Sequence, residues 1–381
     1  MRAWSDRPVP PVVPFSEVAA RGRMIAGENG ESEMIYESAG HPGWLVKRYR
    51  PGFPLQPIEE LDRLIDLPSA MTPADRALVD TAFCWPAARI VKAGGTVGVL
   101  MAMAPADFSV GMRGISGETR SRLLDIDQLV QTEPGFFTRR GWEVPAPRER
   151  LAVARNLAAA GALLERHGVV YGDWSYANAL WARGSGRVFV IDMDSCGFGE
   201  RAWVECNTWD DPFAPAGTPL TVHTDRYKLA VAVLRCLSGT RGSDFPAAFD
   251  ALPAALRDGP VGKTLWQTLT EGDVTARPSS ANLLAVLDAE QEARTPRRPV
   301  TPVPVPDTAP SRAVVPEPRR ASRPAPHRIE PDPVFAPEPE PEPEPDGPET
   351  LDGEWVPTAI AACAVVLLLL ALGGVVVSLF P

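Results

Sequence analysis

Cysteine is scarce in this 381-residue chain. The five present (Cys84, Cys196, Cys206, Cys236 and Cys363) are odd in number, and no two lie within metal-ligand spacing. That argues against a disulfide framework and a thiolate zinc site. An apolar N-terminal stretch is missing too: Met-Arg-Ala-Trp-Ser-Asp-Arg-Pro has no signal-peptide core, so the folded part is expected in a reducing cytoplasm. Positive charge is not in excess. The formal net charge is −10, which excludes a globally basic nucleic-acid binder, and no nucleic-acid partner is expected. Internal repeats and a collagen period are also absent.

What is abundant is proline, and it is unevenly spread. Of 42 prolines, 19 fall between Pro296 and Pro357. Charge is uneven as well. Glu330 to Glu354 holds ten acidic residues and no basic one, while the rest of the chain balances at 38 acidic and 38 basic. The acidity therefore belongs to a tail. About 290 residues remain outside the Pro-rich part and its C-terminal extension, ample for a domain of two lobes.

The expected organisation is an irregular Pro-rich arm at 1–15, a β-rich lobe at 16–105 and a helical lobe at 106–291. A disordered linker at 292–357 and a membrane-spanning helix at 358–380 follow. Gly27, Gly30, Gly40 and Gly43 punctuate short apolar stretches that read as strands between Arg23 and Arg50. Apolar residues at 58, 61, 64 and 65 have helical spacing, another helix is expected at 73–81, and strands at 88–92 and 96–103. After Pro105 the chain is expected to turn helical, with a long Ala/Leu-rich helix over 147–166. Two strands flank the turn Arg183-Gly184-Ser185-Gly186, and helices are expected at 224–238, 247–257, 261–270 and 279–291. Strands followed by helices predict an α+β fold. The linker is Arg-rich first, then alternates Pro and Glu from Pro337 to Pro345, a composition that cannot bury enough apolar surface to fold. Residues 358–380 are 23 uncharged, mostly apolar residues, long enough to cross a bilayer.

Chemistry concentrates between His167 and Phe198. Asp173 is followed five residues later by Asn178, then by an apolar strand, a Gly turn and a second strand that ends in Asp192, with Asp194 two residues on. Phosphoryl transfer needs such a set: one carboxylate to orient and deprotonate the attacking hydroxyl, and an amide oxygen with a second carboxylate to hold a metal against the phosphates. Asp173 is the candidate base. Asn178 and Asp192 are the candidate metal ligands, Asp194 is a second candidate, and oxygen donors of this kind suit Mg²⁺ or Mn²⁺.

This pattern resembles the protein-kinase-like superfamily over about residues 20–290. Tyr171-Gly172-Asp173 stands where protein kinases carry H-R-D, the D-x-x-x-x-N spacing is kept, and Asp192 stands at the D-F-G aspartate. The G-D form and the I-D-x-D-S stretch at 191–195 look like a bacterial subfamily. Trp44-Leu45-Val46-Lys47-Arg48-Tyr49 resembles the strand that carries the ATP-phosphate lysine. Trp85-Pro86 and Gly98-Val99-Leu100-Met101 resemble the approach to the adenine-gripping hinge. Thr224-Asp225 resembles the start of the helix whose buried Asp supports the catalytic loop, and Arg277-Pro278-Ser279-Ser280 resembles the R-P-[ST] before the last helix. The resemblance implies a bilobal kinase-like fold that binds ATP, with Lys47 on the α/β-phosphates and Gly27 and Gly30 in a phosphate-cradling turn. Met101 and Met103 are candidates for the adenine face or for plain core. Glu59 and Glu60 are the candidate partners of Lys47. Gly27-Glu28-Asn29-Gly30-Glu31-Ser32 departs from G-x-G-x-x-G, and Glu28, Glu31 and Glu33 would repel phosphates.

The expected function is a cytoplasmic domain, tethered to a membrane by its C-terminal helix, that moves the ATP γ-phosphoryl group to Ser or Thr of protein substrates. A nucleotide-binding pseudokinase scaffold is the alternative, ahead of a small-molecule phosphotransferase. Gly172 stands where an Arg would pair with a phosphoresidue, which argues against control by activation-loop phosphorylation.

Overall fold

Short apolar strands build a sheet in the first third of the chain. The computed structural model describes residues 4–294 apart from 54–56, 115–116, 132, 204–208 and 242–243. Strands β1 (Val12–Pro14), β2 (Arg21–Ala26), β3 (Ser32–Ser38), β4 (Trp44–Tyr49), β5 (Pro86–Lys92) and β6 (Gly95–Ala102) pair in the order β1-β5-β6-β4-β3-β2. On β4, Trp44 and Val46 pack with Tyr36, Ile90 and Leu100 on one face. Leu45 and Tyr49 pack with Val99, Met101 and Phe108 on the other. The two-residue period puts Lys47 on this second face, which meets Leu180 and Phe189 of the helical lobe. Gly98 lets β6 come close, since a Cβ there would lie 2.2 Å from the Lys47 carbonyl oxygen.

The arm expected to be irregular contributes β1. Val13 is fully buried, and β1 pairs in parallel with β5 at the sheet edge, where a strand tolerates flanking prolines. Helices α1 (Ile58–Ala70) and α2 (Pro73–Ala82) join the sheet lobe to the core, α2 being capped by the Thr72 hydroxyl, which accepts from the Asp75 N–H at 3.1 Å.

The chain does not turn helical straight after Pro105. A hairpin intervenes, β7 (Ser109–Arg113) with β8 (Thr119–Leu123). Val110 and Met112 pack on the core while Gly111 and Arg113 face out, an alternation that only a strand satisfies. Short helices Ile126–Leu129 and Pro134–Arg139 then lead to α3 (Pro147–Arg166). Hairpin β9 (Ala179–Trp181) and β10 (Val188–Val190) follows, then α4 (Val222–Ser238), α5 (Pro260–Thr270) and α6 (Ser280–Arg294). Between α4 and α5, the helix expected at 247–257 is two pieces, Phe245–Asp250 and Ala254–Arg257, because Pro253 cannot continue the first.

Helix α3 packs on both α4 and α6, and Ala154, Ala158 and Ala160 keep its buried side narrow. The main core joins it to Leu229, Leu234, Leu265 and Leu287. The architecture is thus α+β, with a β-rich first lobe and a helical second lobe. Residues 292–294, expected to open the linker, belong instead to α6, which runs to Arg294, and the rest of that expected linker, 295–357, lies outside the described residues. Among the described residues no helix is long and apolar enough to cross a membrane. The run at 358–380, expected to span one, lies outside the described residues, as do Cys206 and Cys363.

Candidate active site

Asp173 sits in a loop built by what lies beneath it. Thr221 caps α4, accepting from the His223 N–H, and one turn further Asp225 turns inward. Its two carboxylate oxygens accept the backbone N–H groups of Tyr171 and Gly172, both at 2.7 Å. Complete burial pushes the Asp225 carboxyl up to about 6, against the two N–H donors and the charges of Arg201 and Lys228. Lys228, one turn along α4, donates to the Gly172 carbonyl at 3.1 Å and pairs with Asp210 at 3.3 Å. Arg201 donates to the Tyr171 carbonyl and, at 3.0 Å, to the Ser195 hydroxyl. Gly172 has φ +72°, and a Cβ there would lie 2.7 Å from Leu220 and 3.2 Å from Arg201. The missing side chain is what makes room for Arg201.

Asn178 closes the loop. Its side-chain N–H₂ donates to the Asp173 carboxylate at 2.7 Å and to the Asp173 carbonyl at 3.0 Å. Beyond it, Ala179 pairs with Val190, and the Ile191 N–H donates to the Asn178 carbonyl at 3.0 Å. The hairpin register therefore sets Asp192 beside Asn178. Asp192 is left-handed, φ 55° and ψ 41°, and opens a 3-10 turn, Met193–Ser195. Burial and the carboxylates of Asp194 and Asp173 push its pKa up, while Lys47 opposes them.

Lys47 reaches this turn from β4. Its ammonium contacts Asp194 Oδ1 at 2.9 Å, Glu31 Oε2 at 3.1 Å and Asp192 Oδ1 at 3.3 Å. Burial alone would lower the Lys47 pKa; Asp194, Asp192 and Glu31 outweigh it and hold the lysine charged. Tyr49, also buried, donates its hydroxyl to Asp194 Oδ2 at 2.9 Å, and its own pKa is raised by that burial and by Asp194.

The structure thus brings Lys47, Asp192 and Asp194 into contact, and places Asp173 and Asn178 beside them. Gly27 and Gly30 stand exposed on the turn between β2 and β3, with no atom within 4 Å of where a Cβ would be. Met101 is buried core on β6, and Met103 lies partly buried against the same cluster. Neither Glu59, which is exposed, nor Glu60 forms an ion pair with Lys47 among the described residues. Helix α1 spends a different acid on the sheet: Asp62 pairs with Arg89 at 2.7 Å. The three acids near the glycine turn are each matched by a base of the adjoining strand or its end: Glu28 with Arg50, Glu31 with Lys47 and Glu33 with Arg48.

Sequence reasoning missed Glu31, Tyr49, Arg201, Lys228 and the buried pair of Arg277 with Asp211. For Glu31 the available signal was the cluster of bases Lys47, Arg48 and Arg50 following the acids of 28–33.

Among the described residues, no three acidic, His or Cys side chains are arranged to hold a metal by themselves. The donor set is nevertheless of the right chemistry. Asn178 commits its N–H₂ to Asp173, which leaves its amide oxygen as an acceptor, and Asp192 supplies carboxylate oxygen beside it; both are hard donors.

No family model matches the chain, and a search of curated proteins finds no match. Among solved structures the chain is similar to one described as the ROP18 kinase domain in complex with AMP-PNP and sucrose. The identity is 16%, the TM-score 0.47, and the match covers 72% of this chain and 79% of that one. A likeness this distant carries no argument about the site, which rests on the geometry above.

Proposed function

We propose that this chain is a protein-kinase-like phosphotransferase that moves the γ-phosphoryl group of ATP to a Ser or Thr hydroxyl of a protein. The observation that carries this reading is the bond from Asn178 to the Asp173 carboxylate at 2.7 Å, in a loop whose backbone is held by buried Asp225, beside Lys47 and Asp192. Asp173 then orients the acceptor hydroxyl and takes its proton. Lys47 pairs with the nucleotide phosphates, and Asn178 and Asp192 hold Mg²⁺ or Mn²⁺. What the metal supplies when bound is neutralisation of phosphate charge. The test is transfer from labelled ATP to generic protein acceptors by the full chain.

A second reading, a nucleotide-binding pseudokinase, is favoured by one observation: Glu31 occupies Lys47 at 3.1 Å, so phosphates must displace a carboxylate to reach the lysine. Nucleotide binding without transfer under any divalent ion decides for it. A small-molecule phosphotransferase is a third reading; transfer to a hydroxylated small molecule with none to protein decides for that.

We further propose that residues 358–380 tether the domain to a membrane, with the domain in the cytoplasm. This rests on the length and apolarity of that run alone. Full-length protein should fractionate with membranes and resist high-salt extraction, and deletion of 358–381 should release it. A full-length protein that stays in the soluble fraction contradicts the tether.

A further inference from the structure

Lys47 has three carboxylate partners, and they are not equivalent. Glu31 and Asp192 keep 37% and 35% of their side chains exposed, and each offers a single oxygen, at 3.1 and 3.3 Å. Asp194 is 2% exposed and uses both oxygens: Oδ1 on Lys47 at 2.9 Å and Oδ2 on the Tyr49 hydroxyl at 2.9 Å. Lys47 and Tyr49 are two residues apart on β4, so their side chains leave the same face, and one carboxylate bridges them.

The turn that carries Asp194 is itself fixed. Met193 is fully buried, the Cys196 N–H donates to the Met193 carbonyl at 3.2 Å, and the Ser195 hydroxyl accepts from Arg201 at 3.0 Å. With both oxygens committed inside the core, Asp194 has little left to offer a metal. Helix α1, meanwhile, brings no carboxylate to Lys47 among the described residues.

We infer that Asp194, seated by Tyr49, is the positioning residue that fixes Lys47 for nucleotide phosphates. It takes the part expected of a helix carboxylate and is not a metal ligand. The inference rests on the proposed function, because it presumes that Lys47 meets a nucleotide. Its consequence is that one turn sets two things together: the lysine through Asp194, and the neighbouring oxygen donor through Asp192. Movement of helix α1 then has no ion pair to Lys47 to make or break.

The test is a double-mutant cycle on the full chain, Lys47→Met with Asp194→Asn, read as MgATP affinity and as kcat and KM for transfer. Asp194→Asn removes a negative charge, so a merely electrostatic role strengthens ATP binding. Positioning requires the reverse, a loss of about ten-fold or more in kcat/KM, with weaker ATP binding. The double variant should be no worse than Lys47→Met alone, since Asp194 acts only through the lysine. Tyr49→Phe keeps shape and charge and should show a smaller loss in the same parameters, which keeps the test usable if Asp194→Asn folds poorly. Glu59→Gln with Glu60→Gln should leave both parameters within about two-fold. Additive losses, tighter ATP binding in Asp194→Asn, or a Mn²⁺ requirement that rises only in that variant would each overturn the inference while the functional reading stands. A wild-type chain that binds no MgATP sinks the functional reading, and the inference goes with it.

Discussion

The loop from Tyr171 to Asn178 and the turn from Gly27 to Ser32 approach the same lysine-centred site, but they are held in opposite ways. The first is fastened from below by buried groups. Asp225 takes two backbone N–H groups, Lys228 and Arg201 take the carbonyls of Gly172 and Tyr171, and Asn178 ties the loop's end to its start. The second is fastened mainly by exposed and half-exposed groups, with Ser32 its buried end. The Ser32 N–H donates to the Asn29 side chain at 3.0 Å, the Arg50 N–H to the Glu31 carbonyl at 2.9 Å, and Glu28 meets Arg50 at 3.4 Å. Breaking a buried bond strands a desolvated group, whereas water replaces a surface pair at little cost. The end of the site that would handle the acceptor hydroxyl is therefore preorganised, and the end that would handle phosphates is exchangeable.

The largest effect should come from the buried side. Asp225→Ala strands two backbone N–H groups and should cost about 2–6 kcal/mol, read as free energy of unfolding in urea. Gly172→Ala comes next. It forces a Cβ into a left-handed residue and against Leu220, and should cost about 1–3 kcal/mol together with a loss of transfer.

Asp225 also predicts a pH dependence. Its carboxyl is raised in the folded state from 3.8 to about 6, so folding favours the protonated form. Its contribution is complete below about pH 4 and is lost as pH rises through about 6. Wild-type stability should therefore carry a downward step between those values that Asp225→Asn lacks; equal steps in both proteins contradict the assignment. The smallest effect belongs to the exchangeable side. Glu31→Gln should tighten MgATP binding about two- to five-fold, as expected for a half-exposed ion pair, with melting nearly unchanged. If Glu31→Gln instead unfolds the sheet, the contrast between loop and turn fails.

The buried loop was the more legible of the two. Asp173, Asn178 and Asp192 could be picked out because their spacing lies within a single loop and hairpin, where chain geometry ties sequence distance to spatial distance; Asp225, far off in sequence, was legible only through the resemblance of its helix start to that of protein kinases. Lys47 was legible only through the resemblance of Trp44–Tyr49 to the strand that carries a phosphate-binding lysine. The partners of Lys47 were not. Glu31 lies 16 residues away and Asp194 147 residues away, and only the completed sheet and its contact with the hairpin bring them together. The acids of the glycine turn read as repulsive because their cross-strand bases were not yet paired with them. The β7–β8 hairpin was missed because its strands are short and Gly111 and Ser121 dilute the alternation. β1 was missed because three residues among prolines give no period.

Labelled-phosphate transfer by the full chain, wild type beside Asp173→Asn, with ATP affinity measured on both, tests the central claim most directly. The account requires metal-dependent transfer by wild type. It also requires a fall of about 10²-fold or more in Asp173→Asn with ATP affinity held within about two-fold, because the base touches the acceptor and not the nucleotide. An Asp173→Asn chain that transfers at the wild-type rate, or a wild-type chain that binds MgATP and MnATP yet transfers nothing, would contradict it.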